Sequence, residues 1–128
     1  MITANEIQSA LRDTVMKQPV INGIALMSKE GLAIHSALEY SDEDLIAAAG
    51  SILYHLGSSS SLSLKKGEMQ LVFIKGRKGY IIVSEVNEDV IILISTSTAD
   101  IQVGSIIYEI NQAVKKFKGL LSNSNIIS

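Results

Sequence analysis

What most constrains the fold of this chain is a pair of short segments that are apolar at every position. Ile81-Ile82-Val83 and Val90-Ile91-Ile92-Leu93-Ile94 contain only β-branched residues and leucine, and turn-forming residues flank them. Short runs of this kind read as strands. Side chains alternate across a strand, so both faces of such a sheet are apolar and both need cover. Helices from the rest of the chain have to supply it.

Three segments carry helical spacing. In the first, Ile7, Ala10, Leu11, Thr14 and Val15 recur on one side, and Pro19, the single proline, stops the helix. The second opens at Ser41, whose hydroxyl is expected to cap it, with Asp42, Glu43 and Asp44 at the positive end of the dipole. Its apolar positions wrap more than one face: Leu45, Ala49, Ile52 and Leu56 form one stripe, and Ile46, Gly50 and Leu53 form another beside it. A helix at a surface needs one stripe, so two imply two packing partners. The third helix spans about Asp100 to Lys118 with a single stripe of Val103, Ile106, Ile107, Ile110, Val114 and Phe117. Gly119 is expected to end it, which gives one domain over residues 1–119 and a loose tail over 120–128.

The expected strands are Ile24–Ser28 and Leu32–Ala37, joined by Lys29-Glu30-Gly31, then Glu68–Lys75, Tyr80–Val86 and Val90–Ser95. The strand at Glu68 alternates, with Glu68 and Gln70 opposite Met69, Leu71 and Phe73, and so lies nearer an edge. The serine-rich run from Gly57 to Leu64 reads as a fraying helix end and a surface loop.

The order α-β-β-α-β-β-β-α describes an α+β domain: a five-stranded, mostly antiparallel sheet with helices on both faces. The first and last helices share one face and leave the middle helix on the other. One helix cannot cover five strands, and this one carries the spare stripe. A second copy is therefore expected to complete the layer. The composition agrees, with 47% hydrophobic residues but only 5% aromatic. The expected seam comprises Ile46, Gly50, Leu53 and Tyr54 on the helix and Gln70, Val72 and Phe73 at the strand edge.

Signs of chemistry are sparse. A chain of 128 residues without cysteine has no disulfide, thiolate ligand or cysteine nucleophile. His35 and His55 do not stand at metal-ligand spacing, and Asp42-Glu43-Asp44 is explained as a charged first turn. No nucleophile elbow, phosphate loop or dinucleotide fingerprint occurs. No catalytic residue, cofactor or metal is expected. A net charge of −2 argues against nucleic acid. The absence of a basic-then-apolar start or a run of transmembrane length predicts a cytoplasmic protein without membrane insertion. Gly76-Arg77-Lys78-Gly79 has the spacing of a KH-domain loop but joins two strands. It reads as a basic hairpin tip, where Lys75, Arg77 and Lys78 could touch an acidic partner.

The element order, Pro-Val-Ile-Asn-Gly at 19–23, the Lys-Glu-Gly hairpin, the Ala-rich middle helix and Gly-Arg-Lys-Gly-Tyr at 76–80 together resemble the roadblock domain family of dynein light chains and their bacterial and archaeal relatives. The resemblance spans about residues 4–119. It implies a homodimer or close heterodimer, with antiparallel second helices and third strands meeting edge to edge in a ten-stranded sheet. It also implies partnership with small Ras-like GTPases, as regulator or scaffold, and no cofactor. The alternative is a longin- or profilin-like scaffold subunit of a trafficking or cytoskeletal complex. A longin domain begins directly with a strand, so the leading Ile7–Val15 helix argues against it.

Overall fold

The computed structural model describes residues 4–38 and 42–122. Its elements are α1 (Ala4–Lys17), β1 (Ile21–Ser28), β2 (Ala33–Leu38), α2 (Glu43–Ser63), β3 (Val72–Gly76), β4 (Gly79–Glu85), β5 (Val90–Thr96) and α3 (Val103–Ser122). The five strands form one sheet in the order β2-β1-β5-β4-β3, and every neighbouring pair is antiparallel. The expected architecture is the observed one.

The sheet divides two apolar layers. On one side α1 and α3 bring Ile7, Leu11, Ile106, Ile110 and Phe117 against Ile24, Leu26, Ile82, Ile92 and Ile94. On the other, α2 lies over a smaller cluster of Ala25, Met27, Val83, Ile91 and Leu93. The doubly apolar strands β4 and β5 separate the two layers, because their alternate side chains enter opposite cores.

Several boundaries differ from the sequence expectation, each for a reason of packing. Ser41 lies outside the described residues; the observed cap is Asp42, whose side chain accepts the Leu45 N–H at 3.2 Å. The α2 helix does not fray at the serine run but continues to Ser63. A Cβ on Gly57 would stand 2.5 Å from Val72 Cγ2 and 2.6 Å from Met69 Sδ, so the second half of α2 rests on the approach to β3. That strand starts at Val72 rather than Glu68, where its register with β4 begins opposite Val83. The α3 helix runs through Gly119 to Ser122 because Leu121 is buried in the larger core. This burial outweighs the modest helix penalty of one glycine, and residues 120–122 continue the helix.

Candidate functional site

The orientation of α2 follows from its small residues. Ala47, Gly50 and Ser51 are its buried positions. A Cβ on Gly50 would lie 2.2 Å from Met27 Sδ and 3.6 Å from Leu93 Cδ1, so the helix backbone rests directly on β1 and β5. Bulky side chains cannot enter that contact, and they turn outward.

One flank of α2 is fixed by polar contacts. The Ser51 hydroxyl donates to the Lys29 carbonyl at 2.6 Å, and His55 Nε2 stands 2.8 Å from the same oxygen. The Tyr54 hydroxyl donates to Glu85 Oε1 at 2.9 Å, and Lys29 Nζ bonds that carboxylate at 2.5 Å while lying 5.1 Å from the Tyr54 ring centre. The lysine's hydrogen bond and charge pull the Glu85 carboxyl below its ordinary value, against a smaller opposing effect of burial. Burial acts downward on Lys29, but its bonds to Glu85 and Tyr54 prevail, and its ammonium is held above the ordinary value. The cluster ties α2 to the β1–β2 turn and to the end of β4.

The opposite flank is apolar and open. Leu45, Ile52 and Leu56 are 63%, 66% and 63% exposed. Ile46 and Leu53 are half-buried and form the inner margin of this flank, packed on the Met27–Leu93 cluster. In the sheet, Ile74 and Ile81 pair across β3 and β4. Alternation along β4 puts Ile81 on the same face as Val83, beneath the α2 layer. Both isoleucines are more than a third exposed. Glu85 lies under the Tyr54 flank, so Ile81, four residues back along β4, lies towards the other. A crest on α2 and a floor at β3–β4 thus both present apolar side chains on one side of the sheet.

The expected seam residues separate. Gly50 is buried where α2 meets the sheet, and half-buried Tyr54 donates to Glu85. Leu45, Ile52 and Leu56 carry the open crest. Side-chain size sets how α2 lies: Ala47, Gly50, Ser51 and Gly57 mark the line of close approach. At the strand edge, Val72 packs on the α2 side, whereas Phe73 lies on the other face with its ring 4.8 Å from that of Tyr80. Gln70 is exposed just before β3, and its carbonyl accepts the Ser84 hydroxyl at 3.3 Å. Lys75, Arg77 and Lys78 are exposed around the β3–β4 turn. Among the described residues no group of His, Asp and Glu side chains could hold a metal ion, and no helix is long and apolar enough to cross a membrane.

Comparison with known proteins agrees with this picture. No curated protein matches by sequence. Among solved structures, a Roadblock/LC7 domain from Streptomyces avermitilis superposes with a TM-score of 0.80 at 21% identity, covering 91% of this chain and 98% of that one. Myxococcus xanthus MglB superposes with a TM-score of 0.80 at 16% identity, covering 93% and 97%. Schizosaccharomyces pombe profilin gives a TM-score of 0.65 at 11% identity, covering 88% and 97%. These likenesses establish the fold. The family model described as the Roadblock/LC7 domain matches residues 7–96, from the first buried turn of α1 to the end of β5. The chain therefore belongs to the Roadblock/LC7 domain family.

Proposed function

We propose that this chain is a non-catalytic cytoplasmic module that pairs with a second copy of itself and, as a dimer, binds a small Ras-like GTPase to regulate or scaffold it. The observation that carries the pairing is the apolar crest of Leu45, Ile52 and Leu56, open above Ile74 and Ile81. Several large apolar side chains exposed on one side of a monomer favour an interaction site there. Two α2 helices lying antiparallel would cover each other's crests. The outer edge of β3, with Val72 and Phe73 and with Gln70 just before it, adds strand backbone to the same seam.

Family membership supports the GTPase as partner. Stimulated GTP hydrolysis usually requires an arginine delivered to the γ-phosphate or a repositioned water-orienting glutamine. The chain has two arginines, Arg12 on α1 and Arg77 on the β3–β4 turn. Neither is buttressed by a described partner, so the reading assigns any stimulation to reshaping of the GTPase's own residues. Lys75, Arg77 and Lys78 offer a basic tip to an acidic surface of the partner.

The test couples both parts of the reading. Immobilised wild-type chain and Ile52→Asp are each exposed to native extract with GTP or GDP, and bound proteins are identified. The reading requires a small GTP-binding protein on the wild type and its loss or depletion on the variant. Its failure to bind either form would overturn the GTPase reading, and identical monomeric sedimentation of both forms would overturn the pairing.

A further inference from the structure

The two ends of α2 differ in charge, and no charged residue lies between them. Asp42, Glu43 and Asp44 stand at its start, Lys65 and Lys66 just past its end, and all five are exposed. The twenty positions from Leu45 to Leu64 contain no aspartate, glutamate, lysine or arginine. Tyr54 lies midway: the acids stand ten to twelve residues before it, and the lysines eleven and twelve after. The crest is centred on the same point, since Ile52 and Leu56 flank it by two residues each. Among the described residues the ion pair is that of Lys29 with Glu85, and none of the five takes part in one.

The lysine end is held in a strained conformation. The Lys65 N–H donates to the Leu62 carbonyl at 3.1 Å, and the Lys66 N–H donates to the Ser61 carbonyl at 2.8 Å. These two bonds close the helix in a Schellman motif, which requires left-handed backbone at the residue after the cap. Lys65 supplies it with φ +60°, the one non-glycine residue of positive φ among the described residues. Glycine fits that position without strain. A lysine one turn earlier would serve the helix dipole as well, so the dipole does not account for a lysine at this point. Gly67, at φ +83°, then turns the chain back, and Met69 lies against Gly57 on the sheet side of α2. The two lysines thus cap the helix axis beyond the open crest.

We propose that the opposite charges at the two ends of α2 fix the direction and register in which a second copy docks, with Asp42, Glu43 and Asp44 of each copy meeting Lys65 and Lys66 of the other. The inference rests on the pairing of α2 proposed above. The apolar crest supplies adhesion but specifies no direction. With the two-fold axis at Tyr54, antiparallel helices bring acids and lysines together at both ends of the seam, about 16 Å from its centre. Parallel helices would set acids against acids and lysines against lysines, which selects against that arrangement. A shallow crossing of about 20° keeps both ends within side-chain reach, whereas one of about 50° would carry them apart. The charge-free middle avoids burying an ion under the partner.

The test is sedimentation velocity of the full chain over a concentration series. One variant reverses the acidic end by Glu43→Lys with Asp44→Lys, which spares the Asp42 cap. A second reverses the basic end by Lys65→Asp with Lys66→Glu, and a third carries all four changes. Each of the first two should raise the dimer Kd about tenfold or more, because both ends of the seam become repulsive. The third should return it to within about threefold of wild type. If these charges acted only within their own helix, the four changes would oppose its dipole at both ends, and the third variant would be the weakest. Lys65→Gly should make the dilute protomer more heat-stable while weakening pairing about threefold. Wild-type pairing should weaken about tenfold between about 20 mM and 500 mM sodium chloride. Should a reversed end fail to fold, as circular dichroism reports, Lys65→Gly and the salt series decide. A wild-type dimer that Ile52→Asp dissociates, but that salt and the charge changes leave intact, overturns the proposal and leaves the pairing standing. A third variant weaker than the first two also overturns it. A monomeric wild type overturns the pairing itself and the proposal with it.

Discussion

Replacing Ile52 by aspartate separates the pairing reading from its alternatives. Full burial of a leucine or isoleucine side chain contributes about 1.5–3 kcal/mol. Ile52 is 66% exposed in the protomer, so sealing the remainder contributes about 1–2 kcal/mol. In a two-fold interface each position occurs twice, which raises the loss to about 2–4 kcal/mol before any cost of placing carboxylates in the seam. The dimer Kd should therefore rise by about 30- to 1,000-fold. Sedimentation velocity over a concentration series measures this directly. Thermal unfolding of the dilute protomer should hardly change, because Ile52 touches little of its own fold. Ile46→Asp should behave differently: Ile46 packs on the Met27–Leu93 cluster, so its replacement lowers protomer stability as well as pairing. Met16→Asp, at a still more exposed position on α1, should leave the Kd unchanged. An Ile52→Asp protein that dimerises with wild-type affinity would refute the argument from the crest.

Other substitutions test other parts of the structure. Gly79→Ala should cost about 3 kcal/mol or more in urea unfolding, because φ is +152° there and the new Cβ would meet the Thr96 carbonyl oxygen at 2.0 Å. Gly119→Ala, inside α3 with nothing within 4 Å of its Cβ position, should instead stabilise by about 0.5–1 kcal/mol. Glu85 is held below its ordinary value of 4.5, so its stabilising contribution is present above that pH and is lost as the pH falls through the lowered value. Glu85→Gln should flatten the acid limb of the stability profile by less than about 1 kcal/mol, since half the side chain is exposed. Lys29 acts with the opposite sign, its share vanishing as the pH rises beyond its raised value. Arg77→Ala should leave any stimulation of GTP turnover within a few-fold of wild type; a loss of several hundred-fold would show that this arginine acts on the phosphate.

The sequence carried the topology because its periods were unambiguous. The Val90–Ile94 run had to be an inner strand, and α3 had one apolar stripe to bury. The orientation of α2 was not legible from periodicity, since both of its stripes are apolar. Size decided it, through the fit of Gly50 against Met27. The extent of α2 and α3 was missed for a related reason. Serine and glycine are weak helix formers, and local preference favours ending both helices earlier. Contacts distant in sequence, from Gly57 to Val72 and from Leu121 to the larger core, override that preference.

The unequal thickness of the two layers has a consequence for the protein's lifetime in a cell. Among the described residues the core beneath α1 and α3 contains sixteen buried residues, and that beneath α2 contains six. Local opening follows such differences, so α2 should lift from the sheet at a lower free energy than global unfolding requires. An isolated protomer would then expose its leucines and the peptide bonds between them to degradative enzymes. A chain that finds its counterpart soon after synthesis would escape that fate, which makes the thin layer a timer on unassembled copies.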